Sequence, residues 1–160
     1  MFTKPAIGWT TFEYNGIKVP CSYLIDVPQT WTDILLAYFK KPEICGNFIL
    51  PINEEGQETY LLFTWEGSYA LRVDSWGNPR SANLEADIDE FIEEYCNDIE
   101  LYIDDWTKWS IDDLNEQAFK ERKEKIQQKV GALRDALDAT TRLKMYYLLG
   151  DEEDDEQDAQ

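Results

Sequence analysis

The segment that most constrains this chain runs from Ser81 to Trp109, SANLEADIDEFIEEYCNDIELYIDDWTKW. Leu84, Ile88, Phe91, Ile92, Tyr95, Cys96, Ile99, Ile103 and Trp106 recur at i, i+3, i+4 and i+7 spacing, which predicts an amphipathic helix with one buried stripe. The remaining surface is acid: Glu85, Asp87, Asp89, Glu90, Glu93, Glu94, Asp98, Glu100, Asp104 and Asp105, with no Lys or Arg between Arg80 and Lys108. As one helix, Glu85 to Asp105 spans roughly 30 Å, with carboxylates about every 3 Å, close to the ~3.4 Å per charge of one DNA strand. Like charges at i,i+4 cost tenths of a kcal/mol per pair, so a helix that needs only solubility usually mixes signs.

A plain solvated face is the alternative to a binding face. A third possibility is neutralisation from within, because Lys120, Arg122, Lys123, Lys125 and Lys129 lie on the next predicted helix. A short link at Trp109-Ser110 makes the two helices antiparallel neighbours. If their apolar stripes meet, the charged faces point outward. Only rim ion pairs under about 1 kcal/mol each are then expected, and most of the negative charge stays displayed.

The rest of the chain supplies a sheet. Asn15-Gly16 is the dipeptide that most readily takes both positive φ angles of a type I′ turn, and it separates Thr10 to Tyr14 from Ile17 to Ile25. A two-residue turn pairs Tyr14 with Ile17, Phe12 with Val19 and Thr10 with Cys21, which places the apolar pairs on one face. Pro28 is read as the end of the second strand. Thr30 with Asp33 opens a short helix over 31–40, ended by Pro42, whose stripe is Trp31, Ile34, Leu35, Tyr38 and Phe39. Phe48 to Ile52, Thr59 to Trp65 and Tyr69 to Asp74 follow as a meander in which Tyr69, Leu71 and Val73 read as the covered side and Ala70, Arg72 and Asp74 as the wet side. Residues 75–81, SWGNPRS, read as a turn-rich link.

After Trp109, Ser110 and Asp113 provide a capping signal for a second long helix, with the apolar spacing of Ile126, Val130, Leu133 and Leu137 extending toward Leu149. Gly131 weakens this helix by about 1 kcal/mol without ending it. The closing DEEDDEQDAQ has no large apolar side chain and predicts a solvated, disordered tail over 151–160. The expected fold class is therefore α+β: a β-rich portion over 1–80 forming an antiparallel sheet of about five strands with one inserted helix. A helical portion over 81–150 packs with it as one domain, before the acidic tail. At 160 residues one core suffices, and six Trp, nine Tyr and seven Phe provide it.

Charge bounds the function. The net charge is −18, and it is uneven: residues 81–107 carry ten acids and no base, residues 151–160 carry seven acids, and residues 108–150 carry nine bases against seven acids. Such a field repels phosphate backbones and anionic lipid and steers basic proteins in, so a basic partner is expected, with no direct nucleic-acid or membrane binding. No histidine occurs, which removes His acid–base catalysis, Ser-His and Cys-His nucleophile pairs and the usual zinc sites. Neither GxxxxGK[ST] nor GxGxxG is present, and no window satisfies the acid and glycine positions of an EF-hand. The residues thus point to no cofactor, no metal and no enzyme. Cys21, Cys45 and Cys96 are odd in number and sit among apolar residues, as buried free thiols of a reducing, cytoplasmic compartment would. The start lacks the apolar core of a secretory signal.

In general character, a small, His-free, aromatic-rich and strongly acidic chain resembles the phage and plasmid inhibitors that imitate nucleic acid, including anti-restriction and anti-CRISPR proteins. The resemblance is compositional and covers mainly residues 85–105 and the tail. It implies a non-enzymatic inhibitor whose carboxylates, the ten named above, occupy the nucleic-acid channel of a basic partner. Two other classes share parts of the pattern: a chaperone or immunity protein that masks a basic effector with exposed aromatics as anchors, and an assembly protein that oligomerises through Ile126 to Leu148.

Overall fold

The computed structural model describes residues 1–40, 47–109 and 114–150, with side chains described as far as Lys144. Pro42, Cys45, the Ser110 and Asp113 cap and the tail over 151–160 lie outside the described residues. The fold is α+β, and the described residues form six strands in two antiparallel sheets where one sheet of about five is expected.

The first sheet is the hairpin. Strands β1 (Trp9–Tyr14) and β2 (Ile17–Ser22) pair Tyr14 with Ile17, Phe12 with Val19 and Thr10 with Cys21, the register that a two-residue turn dictates. Asn15 and Gly16 hold φ of 43° and 83°, the two left-handed angles of a type I′ turn. The hairpin stands apart as its own sheet, touching the next strand through the Ser22 hydroxyl and Asn53 at 3.3 Å.

Helix α1 spans Val27–Lys40, four residues earlier than Trp31. Pro28 does not stop a strand. It sits in the first helical turn, where its missing N–H has no intrahelical partner to lose, and the Asp26 carbonyl accepts from Gln29 and Thr30. Trp31 and Leu35 are fully buried and Ile34, Tyr38 and Phe39 half-buried, as the stripe predicts. The Trp31 indole N–H donates to the Pro51 carbonyl at 2.8 Å and fixes α1 to the second sheet.

That sheet runs β3 (Phe48–Asn53), β4 (Glu58–Thr64), β5 (Gly67–Val73) and β6 (Pro79–Asn83) in sequence order. β6 is a strand where the sequence reads as a link; PRSAN has little β-propensity, and its backbone is held by pairing Leu71 with Ser81 and its neighbours. The orientation of β5 is the reverse of that expected. Ala70 is buried against the core, Arg72 is on the same side beyond the core's edge and bonds Glu54, and Tyr69, Leu71 and Val73 face outward. Phe48, Leu50, Ile52, Leu61 and Phe63 fill the inner face, with the Phe63 and Phe91 rings 4.7 Å apart.

The acidic segment is two helices preceded by a strand, since residues 81–83 belong to β6. Helix α2 covers Ile88–Leu101 and helix α3 Ile103–Thr107, parted by Tyr102 at φ −114° and ψ 31°. Asp87 is the α2 N-cap and accepts from the Glu90 backbone N–H at 3.0 Å. Of the predicted stripe, Leu84, Phe91, Ile92, Tyr95, Cys96, Ile99 and Trp106 are buried, and Ile88 and Ile103 are half-buried. Helix α4, Glu116–Gly150, passes through Gly131 unbroken. Asn115 caps it: its carboxamide oxygen accepts from Ala118 and its carbonyl from Phe119. Helix α4 packs on α1, α2 and α3. Its stripe of Ile126, Val130, Leu133 and Leu137 is thereby consumed by the core, leaving Leu143 exposed beyond it. One cluster of buried residues extends from Phe2 to Leu137 and joins the β-rich and helical portions. Among the described residues no helix is long and apolar enough to cross a membrane.

Candidate functional site

The ten carboxylates divide by what reaches them. Helix α4 runs beside α2 and α3 and delivers its cations to their rims, so neutralisation from within goes further than simple stripe-to-stripe packing implies. Lys123 is 2.7 Å from Asp104, Arg134 2.7 Å from Glu100, and Lys144 2.7 Å from Asp89. Arg134 also donates to the Asn97 carboxamide oxygen, and the bonded Glu100 carboxylate raises its pKa. Lys123 holds the Asp104 carboxyl below its ordinary value, and Asp89 raises Lys144.

The amino-terminal segment claims three more. Lys4 lies 3.6 Å from Asp105. Asp98, half-buried, accepts the Phe2 backbone N–H at 2.5 Å and lies 3.1 Å from the Met1 amino group, with Glu94 4.0 Å from the same group. Asp98 is thus part of the packing between the chain's start and α2, and it is not a free surface charge.

Four carboxylates have no cation within 4 Å among the described residues, Glu85, Asp87, Glu90 and Glu93, although Glu93 lies near enough to Arg134, and Asp87 to Lys144, to raise the pKa of each cation. Asp87 is engaged as the N-cap, while Glu85, Glu90 and Glu93 are exposed. They run from just before α2 to its second turn, and Glu85 lies beside the hairpin, where the Asn15 side chain donates to its carbonyl. The Tyr14 phenol is close enough that burial, then Glu94, Glu90 and Asp87, raise its pKa. The unbroken 30 Å line of charge is therefore not present. The helix ends at Leu101, six of the ten acids are tied down, and the free ones gather in one short stretch.

A shallow groove of about 250 Å3 is lined by Asn53, Gly56, Gln57, Glu58, Val73 and Asp74. It is smaller than the ~300–1,000 Å3 usual for small-molecule sites. Asp74 is spent on its own loop, accepting from the backbone N–H and side chain of Asn78 and from the backbone N–H of Trp76, and the Asn78 bonds above all hold its carboxyl below the ordinary value. Glu58 accepts from the Tyr60 hydroxyl. Among the described residues no group of three or more His, Cys, Asp or Glu side chains is placed to hold a metal ion. Cys21 and Cys96 are free and buried, and burial pushes each thiol up to about 12.

What sequence reasoning missed is apolar. The outward positions of β3 to β6 carry Ile49, Tyr60, Leu62, Tyr69 and Leu71, and the sheet's loops carry Trp65 and Trp76, both exposed. The even spacing of Tyr69, Leu71 and Val73 is the signal for that face, provided the side it takes is known. No family model, no curated protein and no solved structure matches this chain.

Proposed function

We propose that the protein is a non-enzymatic inhibitor that binds a basic, nucleic-acid-binding protein and occupies the surface its nucleic acid would use. The observation that carries this reading is the set of exposed carboxylates Glu85, Glu90 and Glu93, which form no ion pair among the described residues, in a chain of net charge −18. A cluster of one sign on a strongly acidic body attracts a basic groove over several ångströms and orients the encounter. The character is that of phage and plasmid mimics of nucleic acid. On this reading, the paired acids Asp89, Glu94, Asp98, Glu100, Asp104 and Asp105 contribute to the long-range field more than to contact. The free thiols Cys21 and Cys96 fit a reducing, cytoplasmic setting.

Masking of a basic effector or toxin is the second reading, favoured by the exposed Trp65 and Trp76, since aromatic anchors dominate tight protein interfaces. The test is affinity capture from the cells the chain comes from, followed by competition with the purified partner. A basic protein whose nucleic acid is displaced supports inhibition by mimicry. A basic protein bound equally with and without nucleic acid supports masking. An acidic or neutral partner overturns both.

A further inference from the structure

The outer face of the second sheet is built of fourteen outward positions, set by the register of β3 through β6. Ile49, Leu62 and Tyr69 form one row across three strands, and Pro51, Tyr60 and Leu71 the next. Among the fourteen only Glu58 is charged, in a chain that is 30% charged overall. A face left to solvent at that composition would carry about four charges, so this face is depleted of charge, as the core of an interface is. Ile49 is 51% exposed and Tyr69 38%, while Trp65 and Trp76, in the turns at opposite ends of β5, are 76% and 87% exposed.

We propose that this face is a second docking surface, and that its occupant is a basic protein segment presenting apolar side chains to the two rows and Lys or Arg to the rim. Two observations select this occupant. The charged groups around the face are mainly acidic: Glu55, Glu58, Glu66 and Asp74 stand against Arg80, because Arg72 is already bonded to Glu54. A second copy would bring the same acidic rim and another −18 charges, which opposes self-association. The face rather than the edge is the site, because the outer edge strand β6 is short, opens on Pro79 and carries Arg80, the devices that blunt strand pairing. The proposal shares the basic partner class of the function proposed above but places contact on a different surface.

The test uses a phage-displayed library of random peptides panned on the intact protein. Ile49→Thr/Leu62→Thr/Tyr69→Thr keeps β-propensity and charge while removing the apolar rows; Ile49→Thr alone guards against misfolding of the triple variant. The expected result is enrichment of peptides carrying Lys or Arg together with aromatic residues. They should bind at least about tenfold more weakly to the triple variant, measurably more weakly to Ile49→Thr, and normally to Glu85→Lys/Glu90→Lys/Glu93→Lys. Hydroxyl-radical labelling of Tyr60 and Tyr69 in the wild-type chain should fall when such a peptide is bound. Peptides that lose affinity only in the α2 variant would overturn this surface and leave the acidic site standing. Enrichment of acidic or uncharged peptides would overturn the basic occupant, as would a wild-type dimer in sedimentation that the triple variant abolishes.

Discussion

Replacing Arg122 with Ala should be among the most destabilising single changes on the helical side. Its guanidinium, 10% exposed, donates to the Thr107 carbonyl at 2.9 Å, the Trp109 carbonyl at 3.1 Å and Asp26 Oδ2 at 2.9 Å. It thereby ties the start of α4 to the end of α3 and to the residue before α1. Truncation leaves two carbonyls and a carboxylate without the donor that satisfies them, and the other Asp26 oxygen, Oδ1, already has no hydrogen-bond partner among the described residues. Breaking a buried pair costs about 3–5 kcal/mol, and the 28% exposure of Asp26 puts this one near the lower end, about 3 kcal/mol. Arg122→Lys keeps the charge but cannot reach three acceptors from a planar fork, so about 2 kcal/mol is expected. Asp26→Asn in the Arg122→Ala background should return about 1 kcal/mol by removing the stranded charge. Urea unfolding followed by tryptophan fluorescence reads all three; at ~2 kcal/mol/M the first change lowers the midpoint by about 1.5 M. A loss under about 1 kcal/mol for Arg122→Ala, or no recovery with Asp26→Asn, would refute the latch.

Other changes should act in known directions. Gly131→Ala should stabilise by about 0.5–1 kcal/mol and raise Tm by ~1–4 °C, since a Cβ there meets nothing within 4 Å and the helix loses its most flexible residue. Ile7 holds φ 49° while fully exposed, a conformation that costs a β-branched residue about 1–2 kcal/mol, so Ile7→Asn should raise the unfolding midpoint. Cys21 and Cys96 titrate near 9 when unfolded and at about 12 when folded, so their stabilisation is complete below pH 9 and is lost as pH rises toward 12. Stability measured between pH 9 and 11 should fall less steeply in Cys21→Ala/Cys96→Ala, and both native thiols should resist labelling below pH 9.

The parts of the fold that were legible in the sequence are those set by local chemistry. Asn15-Gly16 fixes both turn angles and hence the whole β1–β2 register, and the 3.6-residue period from Leu84 to Trp106 identifies the buried stripe whatever the helix packs against. Tyr69, Leu71 and Val73 show the limit of such reasoning. Their alternation reveals a strand with an apolar side, but which side meets the core depends on where β5 lies relative to α1 and α2, and it lies at the core's margin, where Ala70 suffices. β6 carries no side-chain signal because backbone pairing alone holds it. The candidate site was legible as composition and not as geometry: Asp104 meets Lys123, Glu100 meets Arg134 and Asp89 meets Lys144 across 19, 34 and 55 residues of chain. Such pairings follow from how two helices cross, so the sequence could count ten acids without telling which three would stay both exposed and free.

The most direct test of the basic-partner account is the association rate with the captured partner as a function of salt, for wild type, Glu85→Lys/Glu90→Lys/Glu93→Lys and the control Asp135→Lys/Asp138→Lys. The control reverses two exposed acids of α4 outside the site. The account predicts that the α2 variant associates about tenfold or more slowly at low salt, with a flatter salt dependence and a nearly unchanged dissociation rate, while the control stays within about twofold of wild type. Slowing of the control in proportion to its smaller charge change, two reversals against three, would make the effect one of net charge alone, and normal association by the α2 variant would contradict the site itself.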